Sequence, residues 1–138
     1  MTEFTSEIKT IPHLQETVYA VLSNPENLEN LKDLIPADKV QDLVFDHNSV
    51  AFSIAPVGKL KFAIVERNAP DTIQFATEQS PVSVKILIQL SPGDYAQTQM
   101  KIVLHADLNP FLKPMLSKPL QAGIDKIAEV LAMIPYNS

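Results

Sequence analysis

Apolar and polar side chains alternate with period two over most of residues 40–106, and the spacing then lengthens to that of a helix. Successive side chains of a strand point to opposite faces, so period two predicts strands with one apolar and one polar side. Turn residues divide this region into six runs: 40–46, 50–55, 59–67, 72–78, 82–90 and 95–106. Turn signals recurring every 8–12 residues or so favour consecutive antiparallel hairpins. Val50, Phe52 and Ile54 share one face, as do Leu60, Phe62, Ile64 and Glu66. The same parity joins Ile73, Phe75 and Thr77, then Val82, Val84, Ile86, Ile88 and Leu90, then Thr98, Met100, Ile102 and Leu104. Lys59, Lys61, Arg67, Gln74, Glu78, Lys85, Gln89, Gln97, Gln99 and Lys101 fall on the other side. A sheet of this kind is covered on one face only.

The cover comes from the two ends of the chain. Residues 4–11 read as a first strand, with Phe4, Ser6, Ile8 and Thr10 on one side, stopped by Pro12. Residues 14–23 switch to helical spacing with Leu14, Val18, Val21 and Leu22 on one face. A second short helix is predicted from Asn24-Pro25-Glu26, with Leu28, Leu31, Leu34 and Ile35 as its apolar side and Pro36 as its stop. The long helix covers 109–134, where Leu116, Leu120, Ile124, Ile127, Leu131 and Ile134 recur at steps of four and three. Asn109-Pro110 is its start signal. Pro114 and Pro119 predict an irregular or kinked opening over 110–118 and a clean helix from about Pro119.

This order (strand, two short helices, six-stranded meander, long C-terminal helix) resembles the helix-grip fold of the START-like superfamily, also called SRPBCC. The resemblance spans essentially the whole chain and is carried by three stretches. They are Val18-Tyr19-Ala20-Val21-Leu22-Ser23-Asn24-Pro25, Val65-Glu66-Arg67-Asn68-Ala69-Pro70, and Leu108-Asn109-Pro110 with Lys118-Pro119-Leu120-Gln121 and Ile124-Asp125-Lys126-Ile127-Ala128. They are similar to small bacterial members of the polyketide cyclase-like group. The resemblance implies one α+β domain over 1–138, with a curved seven-stranded antiparallel sheet around the last helix. It also implies an apolar cavity between them for a lipid, isoprenoid, polyketide or other hydrophobic molecule. No catalytic signature is shared across the superfamily, so no residue set carries over. The prolines in the first half of the long helix depart from the family pattern and bear on the cavity mouth.

Composition narrows the partners. A chain of 138 residues, 46% hydrophobic and 20% charged, fits one globular domain. A net charge of -5 argues against a broad electrostatic attraction to nucleic acid or anionic lipid, and the basic residues are dispersed. With no cysteine there is no disulfide, thiolate nucleophile or cysteine metal site. No apolar run approaches the ~20 residues that span a bilayer. The opening MTEFTSEIKT has no signal-peptide pattern, and a cytoplasmic location is expected.

The candidate cavity lining is Phe52, Ile54, Phe62, Ile64, Glu66, Phe75, Thr77, Ile86, Ile88, Thr98, Met100, Ile102, Met115, Leu116, Leu120 and Ile124. The same apolar residues also suit a solid core. Ser6, Thr10, Thr77 and Thr98 share the inward parity and would supply hydroxyls to a polar ligand group. Glu66 is the one catalytic candidate: a desolvated carboxylate has a raised pKa and serves as general acid or base. The plainer reading, favoured here, is that strand twist turns it to solvent or that a neighbour pairs with it. His13, His47 and His105 lack metal-ligand spacing, and no cofactor is expected. There is no Gly-x-Ser-x-Gly nucleophile turn. The leading expectation is a non-catalytic carrier of a small hydrophobic molecule. A cyclase- or hydrolase-type enzyme and a protein-interaction module with a filled core are the alternatives.

Overall fold

Hairpin after hairpin, the alternating region folds into one antiparallel sheet. The computed structural model describes residues 2–27, 41–54, 58–78 and 83–133. Among them are strands β1 (Thr2–Thr5), β2 (Lys9–Ile11), β3 (Gln41–Phe45), β4 (Ser49–Ile54), β5 (Gly58–Asn68), β6 (Thr72–Glu78), β7 (Val84–Pro92) and β8 (Thr98–Ala106). Two helices accompany them, α1 (Gln15–Leu22) and α2 (Leu112–Ala132). The sheet order is β1-β8-β7-β6-β5-β4-β3, with β2 also on β8. The chain therefore has the expected α+β helix-grip architecture, a curved sheet and a long C-terminal helix.

The expected first strand is divided in two, so seven lanes hold eight strands. Ser6 is the cause. Its N–H donates to Ile102 O at 2.8 Å, and its Oγ accepts the Ile102 N–H at 2.9 Å. A side-chain oxygen thus stands where a backbone carbonyl would continue the ladder. When pairing resumes at Lys9 opposite Met100, the parity has shifted. Ile11 is fully buried, whereas Ile8 is 62% exposed and Thr10 faces outward opposite Gln99. The inward assignments of Ile8 and Thr10 are corrected accordingly.

A second irregularity sits in β5. Ile64 pairs with Phe75 but Glu66 pairs with Gln74, so Val65 is the extra residue of a β-bulge. One inserted residue exchanges the faces of all that follow. Arg67 now lies opposite the buried Ile73, and Glu66 joins the polar face. Both parity assignments at this end of β5 are therefore reversed.

Helix α1 packs on β7 and buries Val18 and Leu22. Leu14, expected on that face, is the cap residue just outside the helix and stays exposed. Gln15 Nε2 anchors the helix start on Pro70 O, Asp71 Oδ1 and Leu90 O at 3.0–3.1 Å. Of the second short helix, a single 3-10 turn at 25–27 is seen, with Asn24 Oδ1 accepting the Glu26 N–H at 3.2 Å. Leu28, Leu31, Leu34 and Ile35 lie outside the described residues, as do Val82 and Ile134.

Helix α2 corrects the expectation of an irregular opening. Asn109 Oδ1 accepts the N–H groups of Phe111 and Leu112, both at 2.9 Å, so the start signal acts as predicted. From Leu112 the helix is continuous through Pro119. Pro114 is in the first turn, where its missing N–H would have no intrahelical partner. Ser117 Oγ donates to Lys113 O, four residues back. Leu116, Leu120, Ile124, Ala128, Val130 and Leu131 are buried, and Ile127 is half-buried.

Candidate functional site

The register places the inward side chains in rows that cross the sheet. One row runs Val50, Phe62, Thr77; a second runs Ile64, Phe75, Ile86, Leu104, Phe4; a third runs Arg67, Ile73, Ile88, Ile102. Phe52 sits opposite Leu60 and stacks on Phe62, centroids 5.6 Å apart with planes at 20°. Helix α2 packs on β8, β1 and β2, the opposite flank of the sheet from β3, β4 and β5. Burial follows that division. Met100, Ile102, Leu116, Leu120 and Ile124, between helix and sheet, are closed off from solvent. Val50, Phe52, Ile64, Thr77 and Ile86 remain half-buried around the buried Phe62 and Phe75. Half-buried inward residues on neighbouring strands form an apolar wall that α2 leaves partly uncovered.

The expected lining thus separates into two groups. Phe52, Ile64, Thr77 and Ile86 form the accessible wall, with Phe62, Phe75 and Ile88 packed among them. Met100, Ile102, Leu116, Leu120 and Ile124 belong to the packed core, and so does Thr98. Met115 does not join either group. It is 57% exposed on the outer side of α2. The side chain of Ile54 lies outside what the structure describes.

Few polar groups reach the wall. Thr98 is fully buried and its Oγ1 donates to His13 O at 2.7 Å. Ser6 Oγ is occupied by Ile102 N–H and Glu7 O. Thr77 is the inward hydroxyl nearest the wall; its Oγ1 accepts the Val84 N–H at 3.0 Å, which leaves its proton to give. Glu66 is exposed and accepts from Asn68 Nδ2 at 2.8 Å, so the carboxylate proposed for acid–base chemistry points away from the wall.

Arg67 takes the inward lane instead, a role that an unbroken period of two conceals. Its Nε and Nη2 donate to Ser23 O at 3.2 and 3.1 Å, just past the end of α1. Nη2 also reaches His47 O at 3.3 Å and Asn48 Oδ1 at 2.8 Å. The guanidinium therefore joins the helix terminus to the β3–β4 turn, where a cation also meets the negative end of the helix. In that turn Asp46 Oδ1 accepts the Asn48 N–H at 3.0 Å. That hydrogen bond is the main cause that holds the Asp46 carboxyl below its ordinary value; desolvation, next in size, opposes it, and His47, Ser49 and Lys61 add smaller lowering effects.

The polar face has a groove of its own, about 410 Å³, between β3, β4 and β5. Asp42, Asp46, Lys59 and Lys61 line it with the exposed Val44 and three small residues, and none of the expected cavity residues does. Lys61 lies 3.5 Å from Glu78 Oε2. The histidines do not converge: His47 is near Asp46 and Glu26, and His105 is 3.9 Å from Glu3. Among the described residues no group of three acidic, His or Cys ligands is placed to hold a metal ion, and no helix is long and apolar enough to cross a membrane.

Solved structures share this arrangement of elements. Norcoclaurine synthase from Thalictrum flavum superposes with a TM-score of 0.72 at 12% identity, covering 95% of this chain and 84% of that one. A START superfamily protein from Mycobacterium smegmatis gives a TM-score of 0.69 at 12% identity over 94% of each chain. A conserved protein from Geobacillus kaustophilus gives 0.65 at 14% identity, over 95% of this chain and 93% of its own. No protein-family model and no curated protein sequence matches the chain. At these identities the likeness is one of fold, and the fold is START-like.

Proposed function

We propose that this START-like domain binds a small hydrophobic molecule against the inner face of β4–β7, beside α2. One observation carries the reading: Phe52, Ile64 and Ile86 face inward yet stay half-buried, while Phe62, Phe75 and the residues beneath α2 on the same face are closed off. Covering such a wall with an apolar ligand yields roughly 25 cal/mol per Å² of apolar surface removed from water. Thr77 is the hydroxyl available to orient a polar end of the ligand. Lipids, isoprenoids and polyketide-like rings all fit that chemistry. The Thalictrum enzyme has been solved with dopamine and hydroxybenzaldehyde, so a fold of this kind admits small aromatic molecules. Glu66, the candidate acid of an enzymatic reading, faces outward and does not support it.

The test is titration with 1-anilinonaphthalene-8-sulfonate, whose emission rises in an apolar site. Saturable binding is expected, weakened at least tenfold by the space-filling pair Ile64→Trp and Ile86→Phe with the circular dichroism spectrum unchanged. Non-saturable binding, or equal binding by that pair, contradicts the proposal and favours a filled core that serves a protein partner.

A further inference from the structure

Arg67 places a charge at the border of the apolar wall. Because the bulge at Val65 sends Glu66 to the outer face, Arg67 is the next inward residue of β5 after Ile64. In the three rows that cross the inner face it is the one charged side chain. Its guanidinium is held by three acceptors, Ser23 O, His47 O and Asn48 Oδ1, and all three are neutral. Every ion pair among the described residues belongs to a lysine or a histidine, so no carboxylate there balances this charge. Those contacts use Nε and Nη2, which leaves the two N–H groups of Nη1 uncommitted among the described residues. Asn48 O also accepts the Ile64 N–H at 2.8 Å, so the turn that holds the guanidinium is tied to a wall residue.

We infer that the molecule seated on the β4–β7 wall is an anion, an apolar body with a carboxylate at one end that accepts a hydrogen bond from Arg67 Nη1. The inference rests on the ligand proposal and names its chemical class. A hydrogen bond between ions is about twice as strong as a neutral one. The three acceptors already fix the guanidinium, so little further side-chain freedom is lost when an anion binds. Carboxylates near the clamp do not take the anion's place. Glu66 is on the outer face with Asn68, Asp46 lines the outer groove with Lys61, and Glu26 lies beside His47 in solvent. Their effect on a bound anion passes through water, where charges are screened over about 8 Å at physiological salt. Arg67 and Thr77 also bracket the wall. Thr77 is in the row of Phe62 and Arg67 in the row of Ile73, with the Ile64–Phe75–Ile86 row between them. At ~3.3 Å per residue the outer two rows are roughly 13 Å apart, room for an apolar body with a different polar group at each end.

Two dyes built on one skeleton test it: 1-anilinonaphthalene-8-sulfonate, whose sulfonate stands in for the carboxylate, and N-phenyl-1-naphthylamine, which has no charge. Arg67→Met is expected to weaken the sulfonate dye about tenfold or more and to leave the neutral dye unchanged. Arg67→Lys, which keeps a charge but not the fork that grips the turn, should fall between. The neutral dye on the same variant reports whether the wall is intact, which separates lost charge from lost packing. In the wild-type protein, dodecanoate should displace the neutral dye about tenfold more tightly than dodecanol, although the alcohol is the more apolar. If Arg67→Met fails to fold, that wild-type comparison decides alone. Equal loss of both dyes with an unchanged circular dichroism spectrum, or dodecanol matching dodecanoate, overturns the inference and leaves the ligand proposal standing. Wild-type protein that binds neither dye saturably overturns both.

Discussion

Glu66 and Arg67 differ by one position and have opposite fates because Val65 is inserted ahead of them. Among the described residues Glu66 bonds to one neighbouring side chain, in solvent, so Glu66→Gln should change stability by less than about 0.5 kcal/mol and leave dye affinity unaltered. Arg67 donates to two backbone carbonyls and a side-chain amide, from the end of α1 and from the β3–β4 turn. Its exposure discounts the gain, and Arg67→Met should cost about 1 kcal/mol in urea unfolding. Ser6 is the buried counterpart. Ser6→Ala leaves the Ile102 N–H without its acceptor inside the sheet and should cost about 1–3 kcal/mol, whereas Ser6→Thr, which keeps the oxygen, should cost less. A larger loss from Glu66→Gln than from Arg67→Met would contradict the assigned faces. The residue types at these sites were legible in the sequence, but their directions were not. Period two carries a reading along a strand only until a residue leaves the ladder, and neither the bulge at Val65 nor the hydroxyl at Ser6 has a residue type that demands it.

At the scale of elements, the alternation of β4, β6, β7 and β8 transferred to the structure almost unchanged, since those strands pair without insertion along their described lengths. Helix α2 shows where a strong local rule yields. Proline in a helix interior forfeits a hydrogen bond and costs about 3 kcal/mol; nevertheless α2 runs through Pro119, held by burial of Leu116, Leu120 and Ile124 on either side. Tertiary packing outweighs propensity when an apolar stripe is this long. Pro119→Ala restores the donor to Met115 O but also loosens the unfolded chain, which offsets about 1 kcal/mol of the gain. A net stabilisation of roughly 1–2 kcal/mol is expected from the difference of those two effects. Destabilisation on thermal unfolding would show instead that the half-buried proline ring is needed for packing.

For the molecule as a whole, architecture was more legible than the site. Strand order, antiparallel pairing and a terminal helix follow from patterning that every element shares. Which inward residues are packed and which stay accessible depends on where α2 lies on the sheet, and no periodicity records that. Phe52 and Met100 have the same parity in the sequence, yet one faces the uncovered flank and the other lies fully buried. Met115, close to the helix stripe in sequence, points outward and joins Phe111 on a surface that the strand-based reading did not anticipate. The central claim is that the accessible wall is a seat for an apolar molecule. Native mass spectrometry of the protein purified from its own source, followed by denaturing extraction, addresses it most directly. A hydrophobic compound released at near-unit stoichiometry, and lost from the Ile64→Trp/Ile86→Phe pair, is the predicted result. A wild-type protein that is empty and takes up no apolar dye would contradict it.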